Sequence, residues 1–284
     1  MKQSMFKELW NKMFYSGSRL YLFIGINVIV FLVLGILRLE YLFTRDIAIT
    51  NWLQLNLSVP ADLEKLLYKP WTVATYMFAH TEIFHFLINM LVLYWFGRIF
   101  EDFLNGKQFT FIYLAGGLFG ALLFLLFYNI FPAFEDSKYV SILLGASGSI
   151  MAIVVAIATL VPDYSVRLLL FGDVRLKYLA LVYVLLDVIS IAGTNPGGSI
   201  AHLGGSLFGY IFIKQLQNGN DWSKMFQSRK RLKVVKNSGI PPVSSSRVPE
   251  QELIDQILDK ISRSGYNSLT QQEKEQLFKA SNKE

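Results

Sequence analysis

Apolar residues gather in six runs, at 20–37, 83–100, 109–130, 142–161, 176–191 and 200–213, and most of the charge lies between them. A helix of about 20 apolar residues crosses the hydrocarbon core of a bilayer. The pattern therefore predicts an all-α polytopic membrane protein, a six-transmembrane-helix bundle. The first run follows Lys2, Lys7, Lys12 and Arg19, as in a signal peptide, but Arg38-Leu39-Glu40-Tyr41 offers no small-residue cleavage site. An uncleaved first span is the expectation. Between 38 and 79, Tyr41, Phe43, Trp52, Leu55, Leu67, Tyr68 and Trp71 are interleaved with charges. Short helices lying in the membrane interface would look like this, and so would a small outer cap on the bundle.

Past residue 213 the pattern changes. Arg229-Lys230-Arg231-Leu232-Lys233 is a basic juxtamembrane cluster suited to lipid headgroups, and 238–249, rich in Ser and Pro, reads as a linker. Leu253, Ile254, Ile257, Leu258 and Ile261 then mark one helix face. Thr270 with Glu273 has the spacing of a capping box ahead of a second helix carrying Leu277 and Phe278. The expected divisions are a membrane domain at 1–216, a basic segment and linker at 217–249, and a small cytosolic helical hairpin at 250–284.

Composition narrows the class. With 53% hydrophobic and 17% charged residues the chain is too apolar for a soluble protein of its size. The absence of Cys excludes disulfides and thiolate metal sites. The net charge of +6 reports topology rather than nucleic acid, because sixteen Lys and Arg fall on one side of the predicted spans and five on the other. With the basic side inward, the expectation is a multi-pass protein of a bacterial inner membrane, both termini cytoplasmic.

The chemistry-bearing residues all fall toward the outer ends of their spans. His80 and His85 open the second run, His202 the sixth, and Ser147 lies within the fourth. Ser147 stands about 9 Å along a helix if that run is helical throughout. His85 and Asn89, four apart, share a helix face. Polar groups inside a bilayer are costly and turn toward a bundle interior or a water-filled cavity. A metal site is the rival explanation for three histidines, but only Glu82 accompanies them at that depth and zinc wants a fuller ligand set. Nucleophilic catalysis at Ser147, flanked by Gly145, Ala146 and Gly148, accounts for more of the pattern. A transporter would carry polar residues through both halves of the membrane.

Three motifs, His80-Thr81-Glu82-Ile83-Phe84-His85-Phe86-Leu87-Ile88-Asn89, Gly145-Ala146-Ser147-Gly148, and Ala201-His202-Leu203-Gly204-Gly205 with Gly209, resemble the rhomboid intramembrane serine proteases. The resemblance covers about 20–213. It implies Ser147 as nucleophile and His202 as general base and then acid, in a dyad without Asp. It implies an oxyanion hole from the Ser147 N–H with the His85 and Asn89 side chains, and a structural role for His80. Gly145, Gly148, Ala201, Gly205 and Gly209 would let spans four and six approach closely. No metal or cofactor is implied. The partners would be the bilayer and transmembrane protein substrates, cut in or beside their spans. The alternative is a catalytically silent relative that binds or escorts membrane clients. Two positions depart from the family pattern. Met151 stands where an aromatic commonly packs on the catalytic His, and is expected to pack there in its place; Trp71-Thr72 replaces Trp-Arg in the first outer loop. Asp187, in the fifth run, is expected to hydrogen-bond a neighbouring span.

Overall fold

The structure, a computed structural model, describes residues 5–168, 172–225 and 248–281. It divides into two compact units, Met1–Gln227 and Ser228–Glu284. The basic cluster at Arg229 to Lys233 lies outside the described residues, as does the predicted linker up to Ser246 and Arg247.

The first unit begins with α1 (Met5–Phe14) and α2 (Arg19–Leu37). The loop after α2 carries α3 (Glu40–Thr44), α4 (Ala48–Leu57), the short strand β1 (Val59–Pro60), α5 (Leu63–Tyr68) and α6 (Thr72–Thr75). Two long helices follow, α7 (Ile83–Phe103) and α8 (Gly106–Ile130). After β2 (Ile142–Leu143) come α9 (Ser147–Leu160), a hairpin of β3 (Ser165–Leu168) and β4 (Gly172–Arg175), α10 (Leu176–Ser190) and α11 (Pro196–Gln217). The second unit holds α12 (Val248–Ser264) and α13 (Gln271–Ser281).

Three stretches, Arg19–Thr44, Ile83–Phe103 and Gly106–Ile130, are helical and apolar over a length that crosses a membrane. The fourth predicted span differs from its sequence pattern. Its apolar run starts at 142, but 142–143 pair as a strand with β1, in the register Val59↔Leu143 and Pro60↔Ile142. The chain then turns at Gly145, where φ is +123°, and the helix starts only at Ser147. At 14 residues α9 is about 21 Å long, short of the ~30 Å hydrocarbon thickness. The hairpin β3–β4 was not legible as an element: it is antiparallel, with pairs from Ser165↔Arg175 to Leu168↔Gly172, and φ at Gly172 is +68°.

Short helices fill the first loop, with Phe43, Trp52, Leu67 and Tyr68 exposed. Its far end is nonetheless tied into the bundle. Tyr76 Oη donates to the Gly117 carbonyl at 2.6 Å, and Tyr113 Oη donates to that of Met77 at 2.9 Å. At the other end of the bundle, Glu101 of α7 accepts from Ser18 Oγ at 2.7 Å and from the Leu20 N–H at 3.0 Å, capping α2 with a carboxylate. A capping box of Asn105 and Gln108 starts α8.

The core is built where α8, α9 and α11 meet. A Cβ at Gly205 would overlap the Gly148 carbonyl oxygen, and one at Gly209 the Ala152 carbonyl oxygen, so these two helices touch backbone to backbone. Gly120 and Gly204 do the same between α8 and α11: a Cβ on Gly120 would stand 2.8 Å from Ala201 O, and one on Gly204 2.9 Å from the Gly120 Cα. Small residues at these positions permit the dispersion contacts that hold membrane helices together, since lipid removes the hydrophobic advantage of burial. By contrast α10 buries only Leu176, Ala180 and Asp187.

In the second unit α12 and α13 form the expected helical hairpin. Val248 and Pro249, at the end of the predicted linker, already belong to α12, with Pro in the first turn where a missing N–H leaves no bond unmade. The Thr270 N–H donates to Glu273 at 2.8 Å and the Glu273 N–H to Thr270 Oγ1 at 3.4 Å, a reciprocal capping box. Lys260 reaches across to Glu273 at 2.9 Å.

Candidate catalytic site

Ser147 is the first residue of α9, so its amide, like those of the next residues, has no carbonyl one turn back to bond. It is therefore not 9 Å inside a helix; the strand and the turn at Gly145 occupy the length that helix would have used. The helix N-terminus carries partial positive charge, and free N–H groups there suit a developing anion.

The loop that delivers Ser147 is fixed on both sides. The Gly145 N–H donates to the Tyr76 carbonyl at 3.0 Å, and the Ala146 N–H donates to His80 Nε2 at 3.3 Å. His80, 1% exposed, also has its Nε2 at 3.1 Å from Asn89 Nδ2. An Nε2 that accepts from Ala146 accepts from Asn89 as well, which places the ring proton on Nδ1. His80 thus bonds loop backbone and fixes one of the two Asn89 N–H groups; among the described residues the other has no partner. His85 lies over the turn from α7: a Cβ on Gly145 would stand 3.0 Å from its Cε1. The two imidazoles meet edge to face with centroids 5.5 Å apart.

His202 comes from α11, two turns from that helix's start at Pro196. Gly148, next to Ser147, packs on the carbonyl of Ala201, next to His202; a Cβ there would stand 3.3 Å from that oxygen. A close contact between α9 and α11 thus lies beside both residues. Among the described residues no hydrogen bond joins Ser147 to His202. Met151, one turn beyond Ser147, is buried.

One bond at the site was not expected in this form. The Nδ1 of His202 lies 2.7 Å from Oδ1 of Asp187 on α10. Asp187 does bond a neighbouring span, but its partner is the imidazole for which the resemblance implied no carboxylate. Among the described residues no group of three or more His, Cys, Asp or Glu is arranged to hold a metal ion.

The helical bundle thus presents Ser147 at the N-terminus of α9, with His85 on α7 and His202 on α11. The Rhomboid domain model matches residues 68–217, over half of the chain, and the chain belongs to the rhomboid family. Residues 243–283 match a family of unknown function (DUF6576). Among its relatives is presenilin-associated rhomboid-like protein A, mitochondrial, of Danio rerio, 31% identical over 48% of this chain and 35% of that protein. RHOMBOID-like protein 12, mitochondrial, of Arabidopsis thaliana is 31% identical over 52% of this chain and 47% of its own length. Rhomboid protein 1, mitochondrial, of Saccharomyces cerevisiae is 29% identical over 48% of this chain and 38% of its own. The chain spans less than half the length of these curated relatives. They also correct one expectation. The bacterial inner membrane and cytoplasmic termini inferred from composition and charge do not stand, because these relatives are named as mitochondrial; an asymmetry of basic residues orients a protein in its membrane without saying which membrane that is.

Proposed function

We propose that the chain is an intramembrane serine endopeptidase that hydrolyses peptide bonds in or beside transmembrane segments of other membrane proteins, with Ser147 as nucleophile and His202 as base and then acid. The mitochondrial names of its relatives favour a mitochondrial membrane as its setting. The observation that carries this reading is the contact of α9 and α11: Gly148 packs on the Ala201 carbonyl, so the residues next to them in sequence, Ser147 and His202, leave the same backbone contact. In the first step Ser147 Oγ bonds the scissile carbonyl carbon while its proton passes to His202. In the second, that proton goes to the leaving amine as the C–N bond breaks, and water then releases the acyl group. The oxyanion forms beside the N-terminus of α9. The Ser147 N–H, the second Asn89 N–H and His85 are its proposed donors. Hydrolysis by this route uses no cofactor.

The test is a fluorophosphonate probe together with cleavage of a transmembrane model substrate in detergent. The wild-type protein is expected to label and to cleave. Ser147→Ala should do neither, and His202→Ala should lose cleavage almost as completely, because the two residues act as a unit and the double variant is hardly worse than either. Cleavage by folded Ser147→Ala would remove the serine-protease reading. A wild-type protein that neither labels nor cleaves, yet retains a co-purifying membrane protein, would support the silent client-binding alternative.

A further inference from the structure

We infer that Asp187 is the third member of the catalytic set, a positioning residue that holds the His202 imidazole through Nδ1; the inference rests on the serine-protease reading above. Three observations carry it. Asp187 Oδ1 lies 2.7 Å from His202 Nδ1, within the range of a charge-assisted bond. Asp187, in the last turn of α10, is only 9% exposed, and its second oxygen, Oδ2, has no hydrogen-bond partner among the described residues. A carboxylate in that position is costly. If it served only to tie α10 to α11, a neutral Asn or Ser would make the bond without that cost. Finally, the partner is the ring whose tautomer decides the chemistry. With the proton on Nδ1 donated to Asp187, Nε2 is the lone-pair nitrogen, the only one able to take the Ser147 proton.

The proton balance is the same as without the carboxylate. As Ser147 Oγ bonds the carbonyl carbon, its hydrogen moves to Nε2; Nδ1 keeps its own hydrogen, still donated to Asp187. The imidazolium so formed sits against a carboxylate, which stabilises it. On collapse of the intermediate Nε2–H goes to the leaving amine, and Asp187 has neither gained nor lost a proton. Substituting Asn would reverse the bond: its NH2 would donate to Nδ1, drive the proton to Nε2, and leave no base facing the serine.

Because α10 buries little else than Leu176 and Ala180, the same bond joins the base to a helix with few other buried residues. A structural tie and an orienting carboxylate therefore have to be separated by measurement. The full chain is compared with Asp187→Asn, Asp187→Ala and Asp187→Glu, reading kcat and KM for a transmembrane model substrate, the rate of fluorophosphonate labelling and thermal unfolding. The expected result is a fall in kcat of about a hundred- to ten-thousandfold for Asn, with KM within about twofold, slower labelling, and recovery of at least about tenfold in Asp187→Glu. A second readout needs no substitution at Asp187. The chain has three histidines, so 15N-histidine labelling resolves each ring, and wild type should show a far-downfield Nδ1 proton that persists in Ser147→Ala. Wild-type kcat in Asp187→Asn, an equal loss in Asp187→Glu that follows the unfolding temperature, or a His202 ring protonated on Nε2 would each overturn the assignment while leaving Ser147 as nucleophile. Cleavage by Ser147→Ala would instead bring down the reading on which it rests.

Discussion

His80 is in contact with the loop that carries the nucleophile and also with a proposed oxyanion donor, so its protonation state matters to both. It sits in the loop ahead of α7, outside the spanning helices, and burial, followed by the nearby His85, lowers its pKa from 6.5 to about 4. A neutral ring is what the geometry requires, since Nε2 accepts the Ala146 N–H. The sign of the linkage follows. Between about 6.5 and 4 the unfolded chain binds a proton at this position and the folded chain does not, so stability falls as pH drops through that window and levels off below it. His80→Gln offers an amide oxygen to Ala146 and cannot titrate. The unfolding temperature of wild type should therefore drop more between pH 7 and pH 5 than that of His80→Gln; equal drops would mean His80 is not held neutral. At this scale the candidate residues were legible, their roles remaining a proposal. Ser147, His85, Asn89 and His202 stand out because polar residues are scarce in apolar runs. The pairing of Asp187 with His202 was not, since it depends on the rotation of α10 against α11, which hydrophobic pattern does not specify when most of α10 faces outward. The carboxylate itself was the available signal.

At the scale of elements, periodicity found the runs but misjudged how one of them begins. Residues 142–146 are as apolar as the helix that follows, and apolarity alone does not separate a short buried strand from a helix. Gly145 is the residue that decides it, through a φ of +123° that other residues rarely adopt. The glycine pattern of α11 was legible as close packing, and the structure adds which atoms meet. At Gly205 the neighbour of an added methyl group is the Gly148 carbonyl oxygen, a backbone atom that no rotamer change can move aside. Gly205→Ala must push α9 and α11 apart, at about 1–3 kcal/mol of overpacking, and this separation is between the proposed nucleophile and base. Activity should fall further than stability: a folded protein with a lowered unfolding temperature and cleavage down by at least about a hundredfold, the scale of a 1 Å misplacement. Gly35, with nothing near its position, is the control. If Gly205→Ala retained normal turnover, the α9–α11 contact would not be what sets the dyad.

For the whole molecule, the division into two units at 227/228 falls between the two family matches, 68–217 and 243–283. The residues proposed for catalysis, from His80 to His202, all belong to the first unit. The second unit has its own ties: Ile257 and Leu269 are buried, Lys260 pairs with Glu273, and the capping box at Thr270 starts α13. Each of these ties lies within 248–281. Truncation after Asn237 is accordingly expected to leave cleavage of a transmembrane model substrate within a few fold, with the unfolding temperature of the membrane unit unchanged. Full-length and truncated proteins compared in the same detergent, with fluorophosphonate labelling to count competent sites, provide the measurement. Lost cleavage with undiminished labelling would assign the tail to substrate engagement. Loss of both, in a truncated protein that still unfolds at the full-length temperature, would make the tail part of the catalytic machinery and refute the independence of the two units.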